Sequence, residues 1–240
     1  MNVALILAGG TDFRFKMKIP KQFVNVNNRP IIVYTLEVFQ NHPEIDEIIV
    51  ICLDGWQEMV RVYGKQFNIT KLKSIISGGK DAQESTYKGL LHIKDNMGQG
   101  DTVVIHDAIR PMVSEEIISK SIEMCRKKGM GVAAINIMDT IMHSDNGTEG
   151  TKSINRYEIM KVQTPQSFHY DLIMKLHERA IEEKCLGAWD NSSMITRLGE
   201  KVYFSEGSDI NMKVNTVEDV EMFKALYKMK VPEDSTDRRR

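Results

Sequence analysis

Three short segments concentrate the side chains whose types and spacing suit chemistry. The first, Leu7-Ala8-Gly9-Gly10-Thr11-Asp12-Phe13-Arg14, follows an apolar run and continues to Pro20-Lys21-Gln22. Small residues after a buried strand let backbone N–H groups approach a phosphate chain. From Thr11 to Lys21 the chain carries four cations (Arg14, Lys16, Lys18 and Lys21) against one acid, Asp12. Neither the P-loop pattern G-x-x-x-x-G-K-[ST] nor the dinucleotide fingerprint G-x-G-x-x-G is present. Alone, the segment reads equally as a phosphate cradle or as a solvated basic loop. The second segment, Gly78-Gly79-Lys80-Asp81-Ala82-Gln83-Glu84-Ser85, leads into a helix. A helix N-terminus behind two glycines suits a base or an anion, and also an ordinary strand-to-helix turn. The third is Ile105-His106-Asp107-Ala108-Ile109-Arg110-Pro111. An Asp at the end of a central strand suits Mg²⁺, directly or through water; an ion pair with Arg110 is the alternative, and His106 reads as a packed ring rather than a base.

These segments need a frame that brings them together. Val3–Leu7, Glu47–Cys52, Lys73–Ser77, Thr102–His106 and Gly131–Ile135 read as buried strands. Helical spacing over 31–39, 56–67, 84–93 and 115–127 separates them, which predicts β/α units and a largely parallel sheet covered on both faces. Ligands then sit beyond the carboxyl ends of the strands, where all three segments fall. The pattern changes over about 138–160, where Asn146-Gly147 signals a hairpin and an extended β-arm. A helix over about 170–183, a strand over 202–206 and a last helix over about 217–229 complete the expectation. Residues 1–230 read as one domain, and 231–240, ending in Arg238-Arg239-Arg240, as a polar, solvated tail.

Composition excludes other classes. The 240 residues include 32 Lys+Arg and 33 Asp+Glu, a net charge of −1. Bulk nucleic-acid binding, which neutralises many phosphates, is disfavoured, and only the basic loop and the Arg tail speak for it. No apolar run approaches the ~20 residues a membrane span needs. Cys52, Cys125 and Cys185 show no metal or dithiol spacing and fit free thiols in a reducing cytoplasm.

The motifs L-A-G-G-x-x-x-R…P-K-Q, G-G-x(5)-S, H-D-A-x-R-P, D-T-I, T-P-Q-x-F and N-x-K-V occur in this order over about residues 3–220. In this the chain resembles the CTP-dependent cytidylyltransferases that activate acyclic polyol phosphates, among them the ribitol-5-phosphate and 2-C-methyl-D-erythritol 4-phosphate enzymes. The resemblance implies a Rossmann-like nucleotidyltransferase fold, a three-layer α/β sandwich with a mostly parallel sheet and a protruding β-arm. It implies that Arg14, Lys21 and Lys213 are catalytic cations around the α-phosphate. Ala8, Gly9, Gly10, Gly79, Ser85 and Asp107 match the CTP side. Asp107, Thr140, Arg156, Thr164 and Asp190 match the polyol-phosphate side, with Asp107 as the metal candidate for Mg²⁺. Arg156 matches an arm arginine that serves the neighbouring subunit, which implies a homodimer.

The implied reaction joins CTP and a polyol phosphate into a CDP-polyol and pyrophosphate. The nucleophile is a phosphate monoester with a second pKa of about 6, already ionised at neutral pH. No general base is needed, and catalysis reduces to positioning and fixed positive charge. Three positions depart from the family pattern: Asp12 replaces a glycine, Ala82 an arginine and Trp189 a threonine. The opening motif and the Asp139-Thr140-Ile141 arm look more like the ribitol-phosphate branch. Methylerythritol phosphate is the alternative substrate, and a nucleotide-binding module without turnover is the alternative of another class.

Overall fold

In a computed structural model, the structure describes residues 1–10, 19–98 and 101–230. Arg14, Asp12 and the 231–240 tail therefore lie outside the described residues. Strand β1 (Asn2–Ala8) is apolar on both faces because it is covered on both. It sits centrally, parallel to β4 (Glu47–Cys52) on one side and β6 (Thr102–Asp107) on the other. A short ribbon, β2 (Asn25–Val26) with β3 (Arg29–Pro30), leads into α1 (Ile31–Asn41). Between β4 and β6 come α2 (Gln57–Gln66), β5 (Leu72–Ser77) and α3 (Ala82–His92). The chain thus builds outward through β4 and β5, then returns to place β6 on the opposite side of β1. That reversal leaves a crevice at the carboxyl end of β1, where open α/β sheets hold ligands.

The remaining elements extend the other half. Helix α4 (Glu115–Lys128) is capped by Ser114 and ended by Gly129 at φ +81°. β7 (Met130–Asn136), β8 (Ile141–His143), β9 (Lys152–Ile154) and β10 (Met160–His169) follow. Then come α5 (Tyr170–Glu182), α6 (Asn191–Arg197), β11 (Phe204–Glu206) and α7 (Val217–Lys230). The seven-stranded sheet has the order β11-β7-β10-β6-β1-β4-β5. Only β10 runs antiparallel to its neighbours. One face packs Ala4, Ile6 and Val50 against α1, α2 and α4. The other packs Leu5, Ile51 and Phe168 against α3, α5 and α6. Helix α7 docks on α1 through Phe223 and Tyr34.

The expected strands and helices appear within a residue or two, and the expected strand over 202–206 begins at Phe204. Of the strands and α-helices, β2, β3, β10 and α6 were not expected. The hairpin of the arm is short: β8 and β9 pair Ile141 with Ile154 and His143 with Lys152. Asn146-Gly147 lies within the longer connection between them, where the Asn146 side chain accepts from the Thr148 and Glu149 amides.

Candidate active site at the carboxyl end of β1

The glycine turn leaves β1 at Ala8, and side chains from other segments fix its backbone. The Gln22 amide donates to the Ala8 carbonyl at 2.7 Å and more weakly to that of Gly10 at 3.4 Å. Gln22 belongs to a single 3₁₀ turn, Lys21–Phe23, that buries all three of its residues. Lys21 is only 6% exposed, and its ammonium donates to Asn215 Oδ1 at 2.9 Å. Burying an ammonium costs desolvation, which an anion in the cavity would offset.

The second wall is the turn from β5 into α3. Asp81 caps α3 by accepting from the Glu84 amide at 2.8 Å. Ser85 Oγ accepts from the Gly79 N–H at 2.9 Å, so its own proton is free for another acceptor. A Cβ on Gly79 would lie 2.6 Å from Cβ and Cγ of Glu84, which is why no side chain fits there.

The third wall is the end of β6. The Asp107 carboxylate accepts from Lys213 Nζ at 2.9 Å and from Arg110 Nε at 3.0 Å. Burial would push its pKa up, but Lys213 and Arg110 outweigh burial and hold it well below the usual carboxylate range. Arg110 also donates through Nη1 to the Asn211 carbonyl at 2.8 Å, tying β6 to the segment that carries Lys213. His106 is fully buried, with its pKa pushed down to about 3, chiefly by that burial. It is a packed ring, as expected. The ion pair with Arg110, the alternative for Asp107, is present.

Ala8, Gly9, Gly10, Lys21, Gly79, Ser85, Asp107 and Lys213 line one cavity of about 200 Å³. Three larger hollows, about 360, 500 and 700 Å³, lie elsewhere among the described residues, and each is lined by one glycine against the three of this cavity. The remaining described candidates do not line the cavity. Thr164 Oγ1 accepts from the Asp107 N–H at 3.1 Å. Asp190 caps α6 and accepts from Gln166 of β10 at 2.6 Å. Beside it, Trp189 is 86% exposed. Thr140 is exposed on the arm, and Arg156 donates to the Met138 carbonyl at 2.6 Å. Neither lines the cavity of its own chain. Among the described residues, no group of three His, Cys, Asp or Glu side chains is placed to hold a metal. Sequence reasoning gave no role to Gln22 or Asn215; the Gln of P-K-Q was the available signal for the first.

A crevice at a strand-order reversal, a glycine turn and two converging lysines define an α/β protein built to handle nucleotides. A family model described as IspD, 2-C-methyl-D-erythritol 4-phosphate cytidylyltransferase, matches residues 2–228. The ribitol-5-phosphate cytidylyltransferase of Lacticaseibacillus paracasei is 38% identical over 233 residues, covering 96% of this chain and 99% of the relative. The 2-C-methyl-D-erythritol 4-phosphate cytidylyltransferase of Clostridium tetani is 37% identical, covering 91% and 87%. The crystal structure of 4-diphosphocytidyl-2C-methyl-D-erythritol synthase from Anaerococcus prevotii superposes with a TM-score of 0.79 at 25% identity, covering 95% and 96%. The chain belongs to this cytidylyltransferase family and is a nucleotidyltransferase. No described helix is long and apolar enough to cross a membrane.

Proposed function

We propose that the chain transfers CMP from CTP to ribitol 5-phosphate, giving CDP-ribitol and pyrophosphate. The observation that carries this reading is the convergence of Lys21 and Lys213 on the cavity formed by the glycine turn. An oxygen of the acceptor phosphate bonds to the α-phosphorus as the bond to the bridging oxygen breaks, and pyrophosphate leaves with that electron pair. No proton needs to move. Lys21, Lys213 and Arg14 offset the charge that builds as two anions meet. Lys213 changes partner in this scheme, from Asp107 to phosphate.

A divalent cation fits this donor set only in company with the nucleotide. Of the two aspartates lining the cavity, Asp81 caps α3, and Asp107 would hold the cation once Lys213 leaves its Oδ1 for phosphate. Mg²⁺ is commonly held by one or two carboxylates plus substrate phosphates. When bound, it would neutralise charge on the triphosphate.

The relatives support this acceptor. Several relatives between 32% and 38% identical are named ribitol-5-phosphate cytidylyltransferases. The family model and relatives at 37% favour methylerythritol 4-phosphate as the second reading. We place the enzyme in the cytoplasm as a homodimer joined through the arm, with Arg156 serving the neighbouring site. The exposed Met138, Met142 and Tyr157 on the arm support that assembly. Pyrophosphate release from CTP with ribitol 5-phosphate, methylerythritol 4-phosphate and other polyol phosphates tests the assignment. The highest kcat/KM is expected with ribitol 5-phosphate, and inactivity with every acceptor would reject the reaction.

A further inference from the structure

Strand β10 pairs with β6 as far as Gln166 opposite Ile105, and the ladder goes no further toward the site. Pro165 has no N–H to continue it. Beyond that point a side-chain chain joins the two strands. The Asp107 N–H donates to Thr164 Oγ1 at 3.1 Å, Thr164 Oγ1 lies 3.0 Å from His106 Nδ1, and His106 Nε2 lies 3.3 Å from the Arg110 carbonyl oxygen. The Arg110 guanidinium then returns to the Asp107 carboxylate at 3.0 Å.

The proton positions in this circuit follow from its ends. The Arg110 carbonyl is an acceptor only, so a neutral imidazole must present N–H at Nε2. Nδ1 then has only a lone pair and must receive the Thr164 hydroxyl proton. The opposite tautomer would set the Nε2 lone pair against a carbonyl lone pair. Thr164 thus accepts from Asp107 and donates to His106, which spends its one proton inside the fold. Phe39 packs against the imidazole with ring centroids 5.0 Å apart, and the ring is fully buried.

We propose that His106 is a positioning residue for Asp107. As the Nε2–H tautomer it fixes the hydroxyl that receives the Asp107 amide and the backbone of the arginine that holds the Asp107 carboxylate. Thr164 accordingly orients Asp107 and offers the substrate phosphate no proton. The catalytic consequence rests on the reading of Asp107 given above; the tautomer does not.

The direct test is the long-range ¹H–¹⁵N spectrum of the labelled histidines in the full chain at pH 7. A protonated Nε2 and bare Nδ1 are expected for His106, assigned by their loss in His106→Asn. A protonated Nδ1 overturns the proposal. For turnover, His106→Leu keeps an apolar filling and removes both polar atoms. It should lower kcat about 10–100-fold, the usual range for outer-shell partners of a site, with the KM for CTP within about threefold. His106→Asn places an acceptor near the former Nδ1 and should regain most of that loss, on a logarithmic scale. Thr164→Val should cost little further in the His106→Leu background, because the two act as one unit. Equal losses in the Asn and Leu variants, additive losses with Thr164→Val, or wild-type kcat in His106→Leu each overturn it. Should the wild-type chain transfer to no polyol phosphate, the assigned reaction fails while the spectrum still decides the proton arrangement.

Discussion

Replacing Lys21 with Met separates charge from packing at the cavity. The lysine is 6% exposed, so Lys21→Ala would remove buried methylenes along with the ammonium and confuse the two. Methionine keeps an unbranched stem of similar length. Asn215 retains its side-chain bond to the Lys213 carbonyl, and its backbone amide still donates to Asp219. The hydrogen bond from the ammonium to Asn215 is about 1.5–3 kcal/mol, which corresponds to about 3–12 °C in Tm for a chain of this size. The effect on chemistry is larger. A fixed donor aimed at transition-state charge contributes about 10²–10³ in rate, or about 2.7–4 kcal/mol. Lys21→Met should therefore lower kcat about 10²–10³-fold in pyrophosphate release while melting within about 12 °C of wild type. Nucleotide occupancy is checked separately. CTP at a hundred times its Kd adds about 2.7 kcal/mol of stability, hence about 5–11 °C, and a reduced but measurable shift should persist in the variant. A kcat within tenfold of wild type would remove Lys21 from the chemistry. A lost melting shift with unchanged kcat at saturation would make it a binding residue only.

Other perturbations read different parts of the molecule. Gly79→Ala places a Cβ against Glu84 and must move the turn, so kcat/KM for CTP should fall about 10²-fold, the cost of a misplacement near 1 Å, with the fold retained in circular dichroism. Chelation with EDTA should abolish transfer and Mg²⁺ should restore it; full activity in EDTA would remove the cation. His177 is buried, stacked on Tyr87 and bonded to Asn191, and burial pushes its pKa down from 6.5 to about 4. The unfolded chain then takes up a proton below pH 6.5 that the folded chain refuses until about pH 4. Stability is therefore lost as pH falls through that window, by about 1–2 kcal/mol between pH 7 and 5. In urea unfolding, His177→Gln should lose less over that interval than wild type, and identical losses would assign the acid sensitivity to other groups.

The parallel half of the fold was legible because its strands are uninterrupted apolar runs, buried on both faces. β10 was not. Gln163, Thr164, Gln166 and Ser167 are polar yet buried, and Pro165 argues against a strand. These groups are housed by partners that the local sequence does not reveal. Gln163 pairs with the backbone of Ser208 through both its amide atoms, and Ser167 meets Ser121 at 2.7 Å. Helix α6 was missed for a related reason. It has only seven residues, and its start rests on reciprocal bonds between Asp190 and Ser193 rather than on an apolar period. In the site, the glycine turn and Asp107 announced themselves by following apolar runs. Lys213 became a candidate only through the family motif, since 106 residues separate it from the carboxylate it meets. The support given by Gln22 to the turn and by Asn215 to Lys21 is tertiary, and no local pattern encodes it.

The one antiparallel strand of the seven-stranded sheet divides the chain into two territories with separate freedoms to change. Walls that suit a nucleotide come from β1, β5 and β6, all before residue 108, whereas Thr164, Asp190, Trp189 and the arm come after β7. β7 and β10 are neighbours in the sheet, so everything between them is an excursion that leaves and re-enters at one place. A lineage can lengthen, trim or exchange that excursion without disturbing the parallel ladder. On the proposed reading, acceptor preference drifts with the arm while the nucleotide half is inherited nearly intact, and a graft of residues 137–159 from a relative is the exchange that leaves β10 in place. The joint to preserve is Lys213 with Asp107, where the later territory reaches back across the sheet into the earlier one.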